Sequence, residues 1–308
     1  MKKNIVFVTL ALAALVGCSK EQSKDQAAES QLVPVEVTLK IDDIVGGATR
    51  SETALFPEDE NWLFDYYFVQ FNADGASVVS HHERANVTMG DLSITQKIWL
   101  YDGPSTVAFI ANIVPAGATY GDNPNWENPT THVIKIADNI ETYKTMKFDM
   151  AKRVAAAQST SLKHMPMCGY WEGTITNSEA NPFSMTVTLG RMISKLVLNI
   201  TNHTGSAVSK VQLTNAATKA YIFPQVENTP LDDADYTTLT DNVTIANGET
   251  KTLFFYTAPN YCVYNGNVTT LNFTAGSKTG KVELVNDVQS GDCNLYMNTI
   301  YTYNVDLK

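Results

Sequence analysis

The sequence predicts an all-β protein made of two β-sandwich domains with one or two short helices. Three observations predict it. Apolar and polar residues alternate with a period of two through much of the chain. Turn-forming clusters such as Asn72-Ala73-Asp74-Gly75, Asn247-Gly248 and Asn265-Gly266 recur at short intervals. The chain has 308 residues, whereas one sandwich needs about 100.

Val35, Val37, Leu39 and Ile41 alternate with Glu36, Thr38 and Lys40, as in a half-buried strand. Tyr66 to Phe71 is a second, aromatic strand, ended by the turn at 72–75. Ile94 to Tyr101 and Ser105 to Ile113 flank Asp102-Gly103-Pro104, a hairpin signal. Further strands are expected at 183–189, 194–200, 210–213, 251–256, 269–273 and 281–285. In the last run Tyr301, Tyr303, Val305 and Leu307 share a face opposite Thr302, Asn304 and Asp306. Phe148 to Gln158 reads as the helix, through its alanines. Glu172-Gly173 and the polar run Asn177 to Asn181 interrupt the pattern, so the sandwiches are expected to join within Tyr170 to Asn181. That sets an N-terminal domain at 32–174 and a C-terminal domain at 175–308.

The N-terminus reads as a targeting segment. Lys2 and Lys3 precede an apolar run, Ile5 to Val16, too short for a membrane span of roughly 20 residues. Gly17 before Cys18 resembles the bacterial lipobox, which makes residues 1–17 a signal peptide and Cys18 an acylated N-terminus. The lipid would hold the exported chain to a membrane. Residues 18–31 are polar and read as a tether. Three cysteines then remain, so at most one disulfide can form; Cys262 with Cys293 is the expected pair, and Cys168 a small buried thiol.

Charge and chemistry exclude several functions. With 22 basic and 32 acidic side chains the net charge is −10, the wrong sign for a nucleic-acid partner. Charged residues make up 18% and aromatics 10%, which argues against disorder. His81-His82-Glu83 is the only histidine cluster and lacks a zinc-site spacing, so a solvated loop is expected there. His164 and Cys168 are separated by Pro166, with nothing to orient them as a nucleophile pair. Asp232, Asp233 and Asp235 lack the glycine and distal glutamate of a calcium loop and read as a solvated turn. No acid/base pair or phosphate loop appears, so the chain reads as a non-enzyme without cofactor or metal.

Two structural features survive. The segment 42–61 places Arg50 among Gly46, Gly47, Ala48, Thr49 and Ser51, which reads either as an ordinary surface arginine, favoured by composition alone, or as a loop accessible to a trypsin-like, Arg-specific protease. The strand Val35 to Ile41 precedes it. Cutting after Arg50 would detach that strand and leave an apolar groove with unpaired backbone groups, which another chain's alternating strand can fill.

Several short motifs then resemble the fimbrillins, the type V pilin family of Bacteroidetes. Phe109-Ile110-Ala111-Asn112, Met165-Pro166-Met167-Cys168-Gly169, Leu189 to Leu196 around Arg191 and Lys195, Phe255 to Asn260, and Asn298 to Val305 match its short signatures in order. The resemblance implies two transthyretin-like sandwiches and export as an outer-membrane lipoprotein. It implies cleavage that makes Ser51 the mature N-terminus, removing Val35, Val37, Leu39 and Ile41 with their strand. Other fimbrial subunits would fill the groove at the cell surface, with a host or bacterial receptor as a further partner. The chain stops at Lys308, directly after its last strand, which by the same resemblance suggests a tip or minor subunit. Residues 1–50 carry six basic and six acidic side chains, so the net negative charge lies wholly in the remainder. A second reading stays open: a monomeric surface lipoprotein binding glycans through Trp62, Trp99, Trp126 and Trp171.

Overall fold

A computed structural model of the full chain describes residues 30–43, 63, 65–84, 91–112, 137–150, 154–156, 165–176, 182–224, 231–262 and 266–308. The strands are β1 (Leu32–Ile41), β2 (Asp65–Asn72), β3 (Ser77–Arg84), β4 (Ser93–Tyr101), β5 (Gly103–Ala111), β6 (Lys147–Asp149), β7 (Ala155–Ala156), β8 (Met167–Ile175) and β9 (Phe183–Arg191). They continue as β10 (Ser194–Asn202), β11 (Val208–Ala217), β12 (Lys219–Tyr221), β13 (Tyr236–Asp241), β14 (Thr250–Thr257), β15 (Thr270–Ala275), β16 (Lys278–Glu283) and β17 (Thr299–Leu307). The α-helix α1 (Ile140–Thr145) lies between β5 and β6.

The first seven-stranded sheet has the order β3-β2-β5-β8-β9-β1-β4. It folds over where β8 and β9 pair, at Met167 with Arg191 and Cys168 with Gly190. The half β3-β2-β5-β8 thereby faces the half β9-β1-β4. Their inward side chains, among them Val37, Leu39, Phe68, Ile98, Phe109 and Val187, make one core. The second sandwich stacks β17-β10-β14-β7 on β13-β11-β15-β16, with Leu196, Leu198, Leu213, Phe255 and Leu271 between them.

The two sandwiches share buried surface. β2 is buried on both faces. Its other face, through Tyr67, Val69 and Phe71, joins the second core together with Tyr143 of α1, Phe148 and Met150. Phe71 meets Tyr143 edge-on at 5.4 Å. Residues Gln31–Lys308 accordingly form one compact unit. A bond between Cys262 and Cys293, with Cα atoms 6.0 Å apart, closes a 31-residue loop beside β14, and Cys168 is a buried free thiol.

Several expectations need correction. The boundary at 174/175 falls inside the first sandwich, because β9 pairs with β1 from Val35–Phe183 to Ile41–Leu189. The crossing to the second sandwich comes at Met192–Ile193 instead. Tyr170 to Ile175 belongs to β8 rather than to a linker; Gly173 is there because the Trp171 ring lies over it, 2.5 Å from where a Cβ would sit. The 94–113 segment is an arch and no hairpin. β4 pairs with β1, while β5 pairs with β2 and β8. The buried Gln70 replaces the missing ladder, donating to the Tyr101 carbonyl and Ser105 Oγ at 2.8 Å and accepting from the Tyr101 N–H at 2.9 Å.

The predicted helix at 148–158 overlaps β6 and spans β7, and α1 lies just upstream. Propensity lost to burial: Met150, Val154, Ala155 and Ala156 are all interior, and β7 pairs with β14. α1 forms where Asn139 caps it, accepting from Thr142 N–H at 2.8 Å. The Asp232–Asp235 turn is solvated at Asp232 and Asp233 but not at Asp235. Asp235 is 1% exposed and ion-paired to Lys147 and Lys219, tying it to the β6–β12 ribbon. Burial opposes its ionisation, but the lysine hydrogen bonds outweigh this and hold the carboxyl below the usual carboxylate range.

Two outcomes follow from these ties. Replacing Cys262 and Cys293 by serine should lower stability by about 3–4 kcal/mol, the loop-closure value for this length, read as a shift in denaturation midpoint that reductant reproduces in the parent. Asp235→Asn should cost about 2–3 kcal/mol at neutral pH by stranding the two lysines. Because the folded carboxyl titrates low, its contribution is complete above about pH 4 and vanishes as pH falls through the folded value. Denaturation across the acid range should therefore show a gentler loss in the variant; an unchanged acid limb would refute the assignment.

Candidate functional site: the seat of β1

β1 is an interior strand. It pairs antiparallel with β4 from Leu32–Tyr101 to Lys40–Ser93, and parallel with β9 on its other edge. Val33, Val35, Val37, Leu39 and Ile41 point into the core and are each nearly unexposed. Pro34, which has no N–H to give, lies beyond the start of the β9 ladder. The walls are Ile94, Ile98 and Leu100 of β4 and Met185, Val187 and Leu189 of β9; Tyr66, Phe68, Val107 and Phe109 form the floor. Burying one such aliphatic side chain is worth about 1.5–3 kcal/mol. The inward side chains of β1 together then approach the whole net stability of a domain, about 5–15 kcal/mol.

Past Ile41 the strand ends on a buried polar node. Asp42 N–H donates to the Leu189 carbonyl at 2.9 Å. Arg191, 1% exposed, donates from Nη1 to the Asp42 carbonyl at 2.9 Å and to Asn298 Oδ1 at 2.8 Å. Asn298 Nδ2 donates to the Asp43 carbonyl at 2.8 Å and to Asp42 Oδ2 at 3.3 Å. Asn298 itself takes φ 55, a left-handed conformation asparagine tolerates. It is held by N–H bonds to the Arg191 and Ile193 carbonyls at 2.9 and 2.8 Å. Nearby, Lys195 is wholly buried with Nζ 5.4 Å from the Tyr256 ring and 5.8 Å from Phe254.

The predicted site residues divide sharply. Val35, Val37, Leu39 and Ile41 do come together, lining one side of the groove. Cys18, Arg50, Ser51, Trp62, Trp126 and His164 lie outside the described residues. Arg191, Lys195 and Asn298 stood inside the motifs without a role; the available signal was a full charge within otherwise apolar strands. His81 and His82 are on β3, an edge strand, rather than in a loop, and His81 is exposed. Burial pushes the Cys168 thiol up to about 12, so it stays protonated and inert. Among the described residues no cluster of His, Cys, Asp or Glu is fit for a metal. Trp99 is 53% exposed with Lys97 over its ring, whereas Trp171 packs edge-on against Phe183 at 5.5 Å.

No protein-family model matches the chain, and no curated protein matches it by sequence. Solved structures do. The tip fimbrial protein Mfa3 of Porphyromonas gingivalis, with a C-terminal truncation, is similar with TM-score 0.60 and 16% identity over 89% of this chain and 94% of that one. A fimbrial assembly protein of Parabacteroides distasonis gives 0.52 and 13% over 90% and 92%. The fimbrial anchor protein Mfa2 of P. gingivalis gives 0.50 and 14% over 89% and 90%. The similar folds are those of Bacteroidetes fimbrial proteins, in line with the motif resemblance and with an all-β chain.

Gly169 keeps the groove wall in place. A Cβ there would stand 2.2 Å from the Thr188 carbonyl oxygen, so β8 and β9 could not approach at their corner. Gly169→Ala should destabilise the protein by about 1–3 kcal/mol through overpacking, measured by denaturant midpoint. A neutral result would mean that the corner is not under packing constraint.

Proposed function

We propose that this chain is a structural subunit of a cell-surface fimbria, exported as a lipoprotein on Cys18, matured by an Arg-specific protease after Arg50 and assembled by strand exchange. One observation carries the reading: the strand that cleavage would detach is the interior strand β1. An edge strand can be lost with one ladder broken. Losing β1 breaks two ladders and uncovers a full apolar row. Cleavage alone therefore leaves β1 seated, and release requires another strand of the same alternation to replace it. That is how a subunit would stay monomeric until a partner arrives. The fold likeness to tip, assembly and anchor proteins of fimbriae supports the same reading. Among the described residues no helix is long and apolar enough to cross a membrane. In this reading the lipid on Cys18 attaches the chain before processing.

The mature surface protein should begin at Ser51. The Arg50→Ala chain should keep both β1 and the acylated Cys18 and should be missing from fibres, as read by N-terminal sequencing and electron microscopy of the native host. Fibres built from an Arg50→Ala chain would overturn the maturation step.

A further inference from the structure

We propose that the outward end of β1 and β4, around Leu32 and Trp99, is a lipid-contact face that rests the acylated subunit on the membrane surface before processing. This deepens the lipoprotein reading above and rests on it. On the outward face of the two strands Leu32 lies opposite Tyr101, Pro34 opposite Trp99, Glu36 opposite Lys97, Thr38 opposite Thr95 and Lys40 opposite Ser93. The alternate side chains, Val33 to Ile41 on β1 and Ile94, Ile98 and Leu100 on β4, take the inward face. The outward face is therefore apolar at one end and polar at the other. Leu32 is 49% exposed and Trp99 53%. Single exposed apolar residues are ordinary, but these two belong to one block of four. Lys97 Nζ lies 5.9 Å from the Trp99 ring centroid. An indole beside a long cation suits the boundary of water and acyl chains, the ring among headgroups and the ammonium at phosphate.

Three arguments choose lipid as the occupant. The block stands where the chain enters the fold: Gln31 N–H donates to Asp102 Oδ1 at 2.6 Å, and Asp102 N–H donates to the Gln31 carbonyl at 2.9 Å, beside Tyr101. The span from Cys18 to Gln31 extends to at most about 45 Å, so acyl chains on Cys18 keep the block close to the bilayer. Four side chains are also too few for a stable protein interface, which covers about 800 Å² on each partner. They suffice as a second contact once an acyl anchor has confined the body to the surface. Contact at the apolar end leaves Ile41, roughly 30 Å along the strand, off the lipid, where the segment carrying Arg50 begins. Exchange of β1 would remove Leu32 and Pro34, and half of the block with them.

The test uses the full-length chain, made with its signal segment in a bacterial host that lacks an Arg-specific protease, on phosphatidylcholine vesicles. Flotation with the vesicles and the mass of the N-terminal peptide report acylation of Cys18. Brominated acyl chains in the same lipid quench tryptophan that reaches them. Emission of the parent chain should be quenched. The quenched share should be lost in Trp99→Phe and should fall severalfold in Leu32→Asp, where Trp99 still reports. Both side chains are about half exposed, so the denaturation midpoints should match the parent. No quenching, or equal quenching in the parent and Trp99→Phe, would overturn the lipid face and leave the lipoprotein reading standing. Trp99 emission that ignores lipid and responds to soluble oligosaccharide would overturn it in favour of glycan binding. A chain without an acyl group on Cys18 would overturn the lipoprotein reading and the lipid face with it.

Discussion

Backbone groups in the middle of a sheet must be satisfied on both edges, and β1 is where that constraint bears hardest. It holds β4 to β9 and carries the row from Val33 to Ile41 into the core. β17 is a useful contrast. It pairs with β10 alone, at the edge of its sheet. Both strands run parallel to the neighbour through which the chain passes from one sandwich to the other, β1 beside β9 and β17 beside β10. Their energetic standing still differs, because one is enclosed and the other flanks.

A second regularity concerns buried polar groups at the motif positions. Asn112 takes φ 58 and donates from Nδ2 to the Met165 carbonyl at 2.9 Å. Asn260 donates to the Asn267 carbonyl at 2.8 Å and accepts from the Tyr236 hydroxyl at 3.0 Å. Arg191 and Asn298 close the β1 end. Each ties one chain reversal to another, inside a core where an unmatched group would cost more than the bond returns. The motifs therefore encode anchoring rather than chemistry. This also explains how folds so alike can share 13–16% identity. Alternation is met by many residues, and a few anchors fix how the strands connect.

The legible part of the sequence was what period-two alternation records. β1, β2, β9, β10, β14 and β17 lie close to where alternation places them, since each buries one face or two. Pairing was not legible. Asp102-Gly103-Pro104 suits a hairpin and an arch equally, and only the distant Gln70 decides between them. The alanines of 155–156 favour a helix locally, yet β14 draws them into a sheet. Glu172-Gly173 looked like a break because the indole covering Gly173 is a packing fact that composition does not carry. Asp235 looked solvated because its lysines come from 88 and 16 residues upstream. The groove-lining face of β1 was readable; the node that terminates it depends on residues 149 and 256 positions apart.

The polar node at the end of β1 does what its apolar row does not. Across the ladder, outward residues of β1 and β4 meet in pairs, such as Thr38 and Thr95 at 2.9 Å. A row of aliphatic side chains is met by many alternating sequences and holds register loosely. At the end of the strand, by contrast, the Asp42 carbonyl accepts from Arg191 and the Asp43 carbonyl from Asn298. Those bonds have fixed partners and directions. A slip of two residues along β9 would keep the apolar face inward and break the node. Burial then supplies the energy that seats β1, and the node supplies its register.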